Sequence, residues 1–207
     1  MFLHKLTPSL RHHQARKDLA SRYELHRTLA SALASEEGVP PAYRYLWRLD
    51  QGRDGAPAIL VQTAQPVDWS PLERRHPGYC EDIKANKAMP APRFEPGEMF
   101  HFRLHASPSR MSAGKRSALI DEEEQLAWIH RVAGENGFEI VACDRRHGCL
   151  EKHHKADGNH IILAVAEFDG VLRVADMAAF ADAIECGIGR GKAFGFGMLS
   201  LAPATAG

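Results

Sequence analysis

Twice along the chain the same order of local patterns recurs: strand, helix, two strands, helix, strand. Such a βαββαβ run closes most simply as an antiparallel sheet covered on one face by two helices, the ferredoxin-like arrangement. In the first half, Phe2 to Leu6 alternates as a short strand. Ser21 and Glu24 form a capping box ahead of Leu25, Leu29 and Leu33. This i, i+4, i+8 stripe predicts a helix to about Glu36, stopped by Gly38, Pro40 and Pro41. Residues 43–49 and 58–63 read as a hairpin about a turn at 50–55. A short helix fits within 69–88, though Pro71, Pro77 and Gly78 interrupt its pattern. Phe100, Phe102 and Leu104 then alternate with His101, Arg103 and His105, a half-buried strand with a basic outer face.

In the second half, 121–135 reads as an acid-started helix with Leu126, Trp128, Ile129 and Ala133 as its apolar face. Residues 138–143 form a predicted strand, and 149–165 a hairpin turning at Asp157-Gly158. A further turn at Asp169-Gly170 leads into 171–174. Asp176 caps a helix to about Cys186, and 194–201 closes the chain as a strand. The expected fold is α+β, with tandem ferredoxin-like (βαββαβ) domains at 1–110 and 111–207, joined near 106–116.

The 207 residues suffice for two such cores. Lys+Arg 26 against Asp+Glu 26 excludes a strongly basic tail or an acidic disordered chain, while leaving local basic surfaces open. No run approaches the roughly 20 apolar residues of a membrane span. The alternating N-terminus does not read as a signal segment, so a cytoplasmic protein with no membrane partner is expected. None of the four cysteines forms a Cys-x-x-Cys pair. Cys143 and Cys149 flank a predicted turn and could bridge, but reduced thiols are the expected state.

Three segments carry chemistry. Tyr23, His26 and Arg27 stand three and four positions apart at the start of the first helix, so they share one face. Backbone N–H groups and the helix dipole there favour an anion. A phenol, an imidazole and a guanidinium suit RNA cleavage by its own 2′-hydroxyl, which needs a proton acceptor, a proton donor and a fixed cation. The plainer alternative is a surface helix with an ordinary histidine. The second segment runs from Gly187 to Gly197 with five glycines in eleven residues, and Arg190 and Lys192 at its centre. Such backbone, at Gly189 and Gly191 above all, allows close approach of a phosphate chain. It is neither a Walker loop nor a dinucleotide fingerprint; its plainer alternative is a tight helix-to-strand connection.

Third are two basic stretches. Residues 101–120 contain Arg103, Arg110, Lys115 and Arg116 and no acid. Residues 145–155 carry Arg145, Arg146, Lys152 and Lys155, interleaved with His147, His153 and His154, against Glu151 alone. Such patches neutralise phosphates, and a two-stranded hairpin enters an A-form groove only at a stem end or where the groove widens. A solvated charged face is the alternative for either. His12-His13 and His153-His154 invite a metal reading, but adjacent residues on a strand face opposite sides and neither pair takes part in a His-x-x-x-His. No metal and no cofactor are expected.

Together these segments resemble the Cas6e family (also called CasE or Cse3), the CRISPR-repeat endoribonucleases of type I-E systems. The resemblance spans essentially the whole chain. It runs through Met1 to Leu6, Tyr23-Glu-Leu-His26-Arg-Thr-Leu, Leu46-Trp-Arg-Leu49 and Leu60-Val-Gln-Thr63. It continues through Phe102-Arg-Leu-His-Ala-Ser-Pro108, Gly114-Lys-Arg-Ser-Ala-Leu119 and Gln125-Leu-Ala-Trp128, and is most specific at the glycine-rich loop and Gly197-Met-Leu-Ser-Leu-Ala-Pro203. It implies a RAMP-type fold and metal-independent cleavage at the 3′ base of the repeat stem-loop, leaving a 2′,3′-cyclic phosphate and a 5′-hydroxyl. His26 and Tyr23 match the family's catalytic pair. The implied partners are CRISPR repeat RNA, the 3′ hairpin of the mature crRNA and the other Cascade subunits.

Some members carry a lysine further along the first helix. Position 31 here is serine, so the cationic role falls to Arg27 or elsewhere. Lys152-His153-His154-Lys155 stands where the hairpin usually presents arginines, which predicts pH-dependent stem binding. His105 likewise stands where a more basic residue is common. Arg103, Arg110, Lys115 and Arg116 are expected to track the RNA backbone, with Gly189, Arg190, Gly191 and Lys192 holding RNA at the loop. The alternatives are a non-catalytic RNA-hairpin-binding subunit of the same fold, and a metal-dependent phosphohydrolase built on the histidines.

Overall fold

The computed structural model describes residues 1–34, 41–52, 55–89, 93–112, 114–154 and 160–204, with backbone alone at 153, 154, 160 and 161. Its elements are β1 (Phe2–Pro8), α1 (His13–Ala20), α2 (Arg22–Leu33), β2 (Tyr45–Gln51), β3 (Pro57–Thr63), α3 (Ser70–Arg75) and β4 (Cys80–Ala88). There follow β5 (Met99–Ala106), β6 (Ser109–Ser112), β7 (Lys115–Ala118), α4 (Glu122–Glu135), β8 (Phe138–His154), β9 (His160–Val174), α5 (Met177–Cys186) and β10 (Leu199–Pro203). The strands pair antiparallel in two four-stranded sheets, ordered β2-β3-β1-β4 and β10-β5-β9-β8, with β6 and β7 a separate ribbon. In each sheet the first strand lies beside the third, the ferredoxin-like order. Among the described residues no helix is long and apolar enough to cross a membrane.

Two compact units result: Met1–Ala91 with Ala193–Gly195, and Pro92–Lys192 with Phe196–Gly207. The division falls near 91, not between 110 and 111. β5 pairs with β9 and β10, so it is a central strand of the second sheet rather than the closing strand of the first. The first sheet is closed by β4, which sequence patterning missed. As an edge strand, Cys80–Ala88 is mostly exposed and carries no apolar alternation.

In the first unit, Leu25, Leu29 and Leu33 of α2 share one core with Leu6, Trp47, Ile59, Val61, Trp69 and Leu72. The capping box is in place, with the Ser21 hydroxyl accepting from the Glu24 N–H at 3.4 Å. The helix α1 was not foreseen. His12 is its N-cap, its Nδ1 accepting from the Ala15 N–H, so His12 and His13 open a helix rather than straddle a strand.

In the second unit the pattern predicted a strand at 138–143, a separate hairpin over 149–165 and a turn at Asp169-Gly170. The structure has one long pair instead. β8 runs through Cys143 and Cys149, and β9 runs through Gly170. Bulges at Val141 and Arg146 bend β8 without ending it. Gly170 is there for close approach: a Cβ would sit 2.0 Å from the Ala142 carbonyl oxygen. Cys143 and Cys149, six positions apart on one strand, are separated by ~20 Å and cannot bridge. β5 stops pairing at Ala166, so Cys149–His154 and His160–Val165 extend the β8–β9 pair beyond the sheet. Its predicted tip at Asp157-Gly158 lies outside the described residues. On α4 the buried set is Gln125, Trp128, Ile129, Val132 and Ala133, while Leu126 is only half-buried. Gln125 is admitted to the core because its amide donates to the Leu119 carbonyl at 2.8 Å. The closing strand begins at Leu199 rather than 194, after a 3₁₀ turn at Lys192–Phe194.

His4 is fully buried on β1. Its Nδ1 accepts from the Trp69 indole N–H and from the Asn86 N–H, both at 3.1 Å. The proton therefore sits on Nε2, which donates to Thr63 Oγ1 at 2.9 Å, and Thr63 donates onward to the Gln65 carbonyl at 2.7 Å. Burial lowers the His4 pKa below 6.5. Between that lowered value and 6.5 the unfolded chain binds a proton that the folded chain refuses, so stability is present above 6.5 and falls as pH drops below it. Denaturant midpoints at pH 7.5 and 5.5 are expected to show this loss, and His4→Gln, which does not titrate, to show less of it.

Candidate active site

With the leucine stripe of α2 turned into the core, His26 is left half-buried at its flank. The Tyr45 hydroxyl lies 3.0 Å from His26 Nδ1, and the rings lie nearly parallel, 18° apart with centroids at 6.1 Å. Tyr45 is on the same face of β2 as Trp47, one pleat away. Burial lowers the His26 pKa from 6.5, favouring neutral imidazole at neutral pH. Burial, and then the neighbouring Tyr43, push the Tyr45 phenol up, so its hydroxyl stays protonated.

Tyr23 is half-buried on the first turn of α2, but the hydrogen bond of the His26 ring goes to Tyr45 rather than to Tyr23. Arg27 turns back along its own helix, with Nη1 3.4 Å from Glu24. Lys17 of α1 reaches the same carboxylate at 3.1 Å. Both cations are more than half exposed, so each pair is worth at most about 1 kcal/mol and yields readily to a stronger anion. At the far end of α2, Arg75 of α3 donates to the Ser31 hydroxyl at 2.8 Å and to the Ser31 carbonyl. A guanidinium therefore stands at the position where serine left the helix without a charge of its own.

The glycine-rich loop is less open than its composition implied. Gly187, Ile188 and residues 195–198 are buried, and only Gly189, Arg190 and Ala193 are exposed. Gly195, at φ +78°, is flush with the Trp47 ring, where a Cβ would meet Cζ3 at 2.6 Å. The neighbouring Phe194 carbonyl accepts from Arg22 of α2 at 3.3 Å. Part of the loop's glycine content thus answers to packing. Lys192 curls back to donate to the Gly189 carbonyl at 2.9 Å, and Gly191 faces Phe196.

The basic residues divide in the same way. Arg103 is gripped bidentately by Asp169 at 2.7 and 2.8 Å, and Arg146 joins that carboxylate at 2.8 Å. The Arg103 hydrogen bonds hold the Asp169 carboxyl below its usual range, against burial. His105 lies 3.5 Å from Glu167 in the same cluster. Arg110 pairs with Glu124 at 2.6 Å. Lys115 and Arg116 are exposed on β7, and Lys152 is exposed on β8. His153 and His154 lie on the β8 backbone beyond the sheet, and Lys155 is outside the described residues. Tyr45, Arg75 and Lys17 were not foreseen as site residues. Tyr45 read only as one aromatic of an alternating strand, and Lys17 lies in a helix without an apolar stripe.

Comparison with known proteins agrees with this architecture. A family model described as CRISPR-associated protein matches residues 1–203. The CRISPR-associated endoribonuclease Cse3 of Thermus thermophilus is 37% identical, over 98% of this chain and 100% of that protein. The Cascade subunit CasE of Escherichia coli is 33% identical over 52% of this chain and 59% of its own. The structure of Thermus thermophilus Cse3 bound to an RNA representing a pre-cleavage complex superposes with a TM-score of 0.82 at 33% identity, covering 98% of each chain. The fold is that of the tandem ferredoxin-like CRISPR-associated proteins. This chain belongs to the Cas6e (Cse3/CasE) family.

The environment of His26 makes a direct expectation. In an NMR titration of the free protein its ring should titrate with a midpoint below 6.5; a midpoint above 6.5 would show that a neighbouring anion, not burial, governs it.

Proposed function

We propose that this protein is the endoribonuclease that processes CRISPR repeat RNA, cutting at the 3′ base of the repeat stem-loop and then holding the crRNA hairpin within Cascade. The observation that carries the reading is the neutral, half-buried imidazole of His26, oriented by Tyr45 and flanked by exposed cations. The names of the Thermus and Escherichia relatives support the substrate and the assembly.

The reaction requires no hydrolytic water. His26 Nε2 takes the proton of the 2′-hydroxyl, and the 2′-oxygen attacks the adjacent phosphorus. The 5′-oxygen leaves and is protonated, giving a 2′,3′-cyclic phosphate and a 5′-hydroxyl. A lowered pKa keeps His26 in the accepting form at neutral pH. In this reading Nδ1–H donates to the Tyr45 oxygen 3.0 Å away, which leaves the free lone pair on Nε2. Tyr23 positions the scissile link. Arg27 stabilises the added phosphate charge, exchanging Glu24 for the phosphate, and Arg75 of α3, bound to Ser31 of the same helix α2, is a second cation. Lys152, His153, His154 and Lys155 grip the stem, while Arg110, Lys115, Arg116, Gly189, Arg190, Gly191 and Lys192 follow the backbone. Arg103, already bound by Asp169, contributes mainly by shaping that face. No metal takes part in these steps.

Single-turnover cleavage of a repeat RNA is the decisive measurement. His26→Ala should lower the rate by roughly 10²–10⁴-fold while retaining RNA, the range for a lost proton-transfer group. EDTA should leave the wild-type rate unchanged, and one 2′-deoxy substitution at the scissile nucleotide should block it. Retention of RNA without product by the wild type would identify a binding subunit instead, and loss of activity in EDTA a metal enzyme.

Tyr45→Phe tests the proton assignment. Removing an acceptor that favours imidazolium should move the ascending limb of the pH–rate profile to lower pH and reduce the plateau several-fold, as for one hydrogen bond of ~0.5–1.5 kcal/mol. A limb moving to higher pH would show that Tyr45 donates to Nδ1, with the proton of the neutral ring on Nε2, and would overturn the assignment of Nε2 as the acceptor.

A further inference from the structure

Within the second unit, the β6–β7 ribbon, α4 and the loop tip enclose a cavity of about 460 Å³. Four arginines line it: Arg110, Arg116, Arg131 and Arg190. Two are already neutralised, Arg110 by Glu124 and Arg131 by Glu135, each at 2.6 Å. Among the described residues Arg116 and Arg190 have no carboxylate partner, and both are exposed. The cavity therefore carries about two uncompensated positive charges, which matches a phosphate monoester or two consecutive phosphodiesters.

Its remaining wall is not that of a simple anion site. Met111 and the edge of Trp128 supply apolar surface. Trp128 cannot swing away, because it is 5% exposed and stacks on Phe168 at 6.1 Å. Gly189, at φ +70°, brings the loop backbone onto the same ring, where a Cβ would lie 3.1 Å from Cζ2. Asn136 offers amide atoms at the rim. The volume falls within the ~300–1,000 Å³ of small-ligand sites, enough for one ring with its sugar and phosphate.

We propose that this cavity receives a single unpaired nucleotide, its phosphate between Arg116 and Arg190 and its base against Met111 and Trp128. The proposal rests on the reading of the chain as an RNA-processing enzyme. It adds that the protein reads a nucleotide outside the paired stem, by apolar contact and charge rather than by groove contacts. The nucleotide belongs to the flank of the bound RNA or is a free nucleoside monophosphate, and the two sources are separable.

The full-length protein and the R116A/R190A variant are titrated with a bare repeat hairpin, with the same hairpin carrying unpaired flanks, and with adenosine and cytidine monophosphates. K84A/K87A, which removes two exposed lysines of the first unit, is the matched charge control. The expected result is that wild type binds the flanked RNA at least about fivefold more tightly than the bare hairpin, the scale of one added phosphate contact with its apolar neighbour. R116A/R190A should erase that difference, whereas K84A/K87A should weaken both RNAs alike. Monophosphate binding that R116A/R190A abolishes, with flanked and bare RNAs bound equally, supports the cavity and assigns it a free nucleotide. Wild type and R116A/R190A agreeing on every probe overturns it. Should wild type bind neither RNA, the processing function itself fails, and the monophosphate titration alone decides the cavity.

Discussion

Burial of Leu25, Leu29 and Leu33 against Trp47, Ile59 and Val61 is the contact from which the geometry of the proposed site follows. Each such side chain contributes about 1.5–3 kcal/mol relative to exposure, so the stripe holds the roll of α2 firmly. A roll by one residue is about 100°, enough to carry His26 away from β2 altogether. Tyr45 is delivered by the same contact from the other side, because the pleat that turns Trp47 into the core turns Tyr45 the same way. The hydrogen bond between them is thus a by-product of core packing, and damage to the core would reach the chemistry without touching either ring.

Charge is organised by the same economy of position. The chain has equal numbers of acidic and basic residues, yet among the described residues carboxylates are placed against particular arginines and not against others, which leaves local basic surfaces. Asp169 secures Arg103 and Arg146 on the second sheet, and Glu124 and Glu135 secure two arginines of the cavity. Arg116 and Arg190 stand outside these pairs, and Arg27 is in one weak enough to exchange. Burial acts on His26 in the opposite sense, favouring the uncharged ring that the proposed mechanism calls for.

Much of this was legible in the residues. The capping box at Ser21, the leucine stripe, the acid-started α4 and the Asp176 cap are local signals, and local signals survive without tertiary context. Their failures were also local. β4 carries no alternation because an edge strand has little to bury. Asp169-Gly170 imitates a turn because glycine serves a turn and a close strand crossing alike. Trp128 and Ile129 were read correctly as core, whereas Gln125 entered it through a hydrogen bond that no periodicity shows. The glycine-rich loop was legible as a feature, but Gly195 answers to Trp47, far away in the chain.

By itself the sequence determined the order of elements, the helix that carries Tyr23, His26 and Arg27, and the family resemblance, because each depends on residues within a few positions of one another. Only the tertiary structure decided which partner the imidazole takes. Tyr45, 19 residues away, meets His26 across an interface between a helix and a strand. It likewise decided that Arg75 covers Ser31, that Asp169 claims Arg103, and that, among the described residues, no carboxylate pairs with Arg116 or Arg190. Side-chain direction in three dimensions is set by what is buried, and burial is a property of the whole packed unit rather than of any segment.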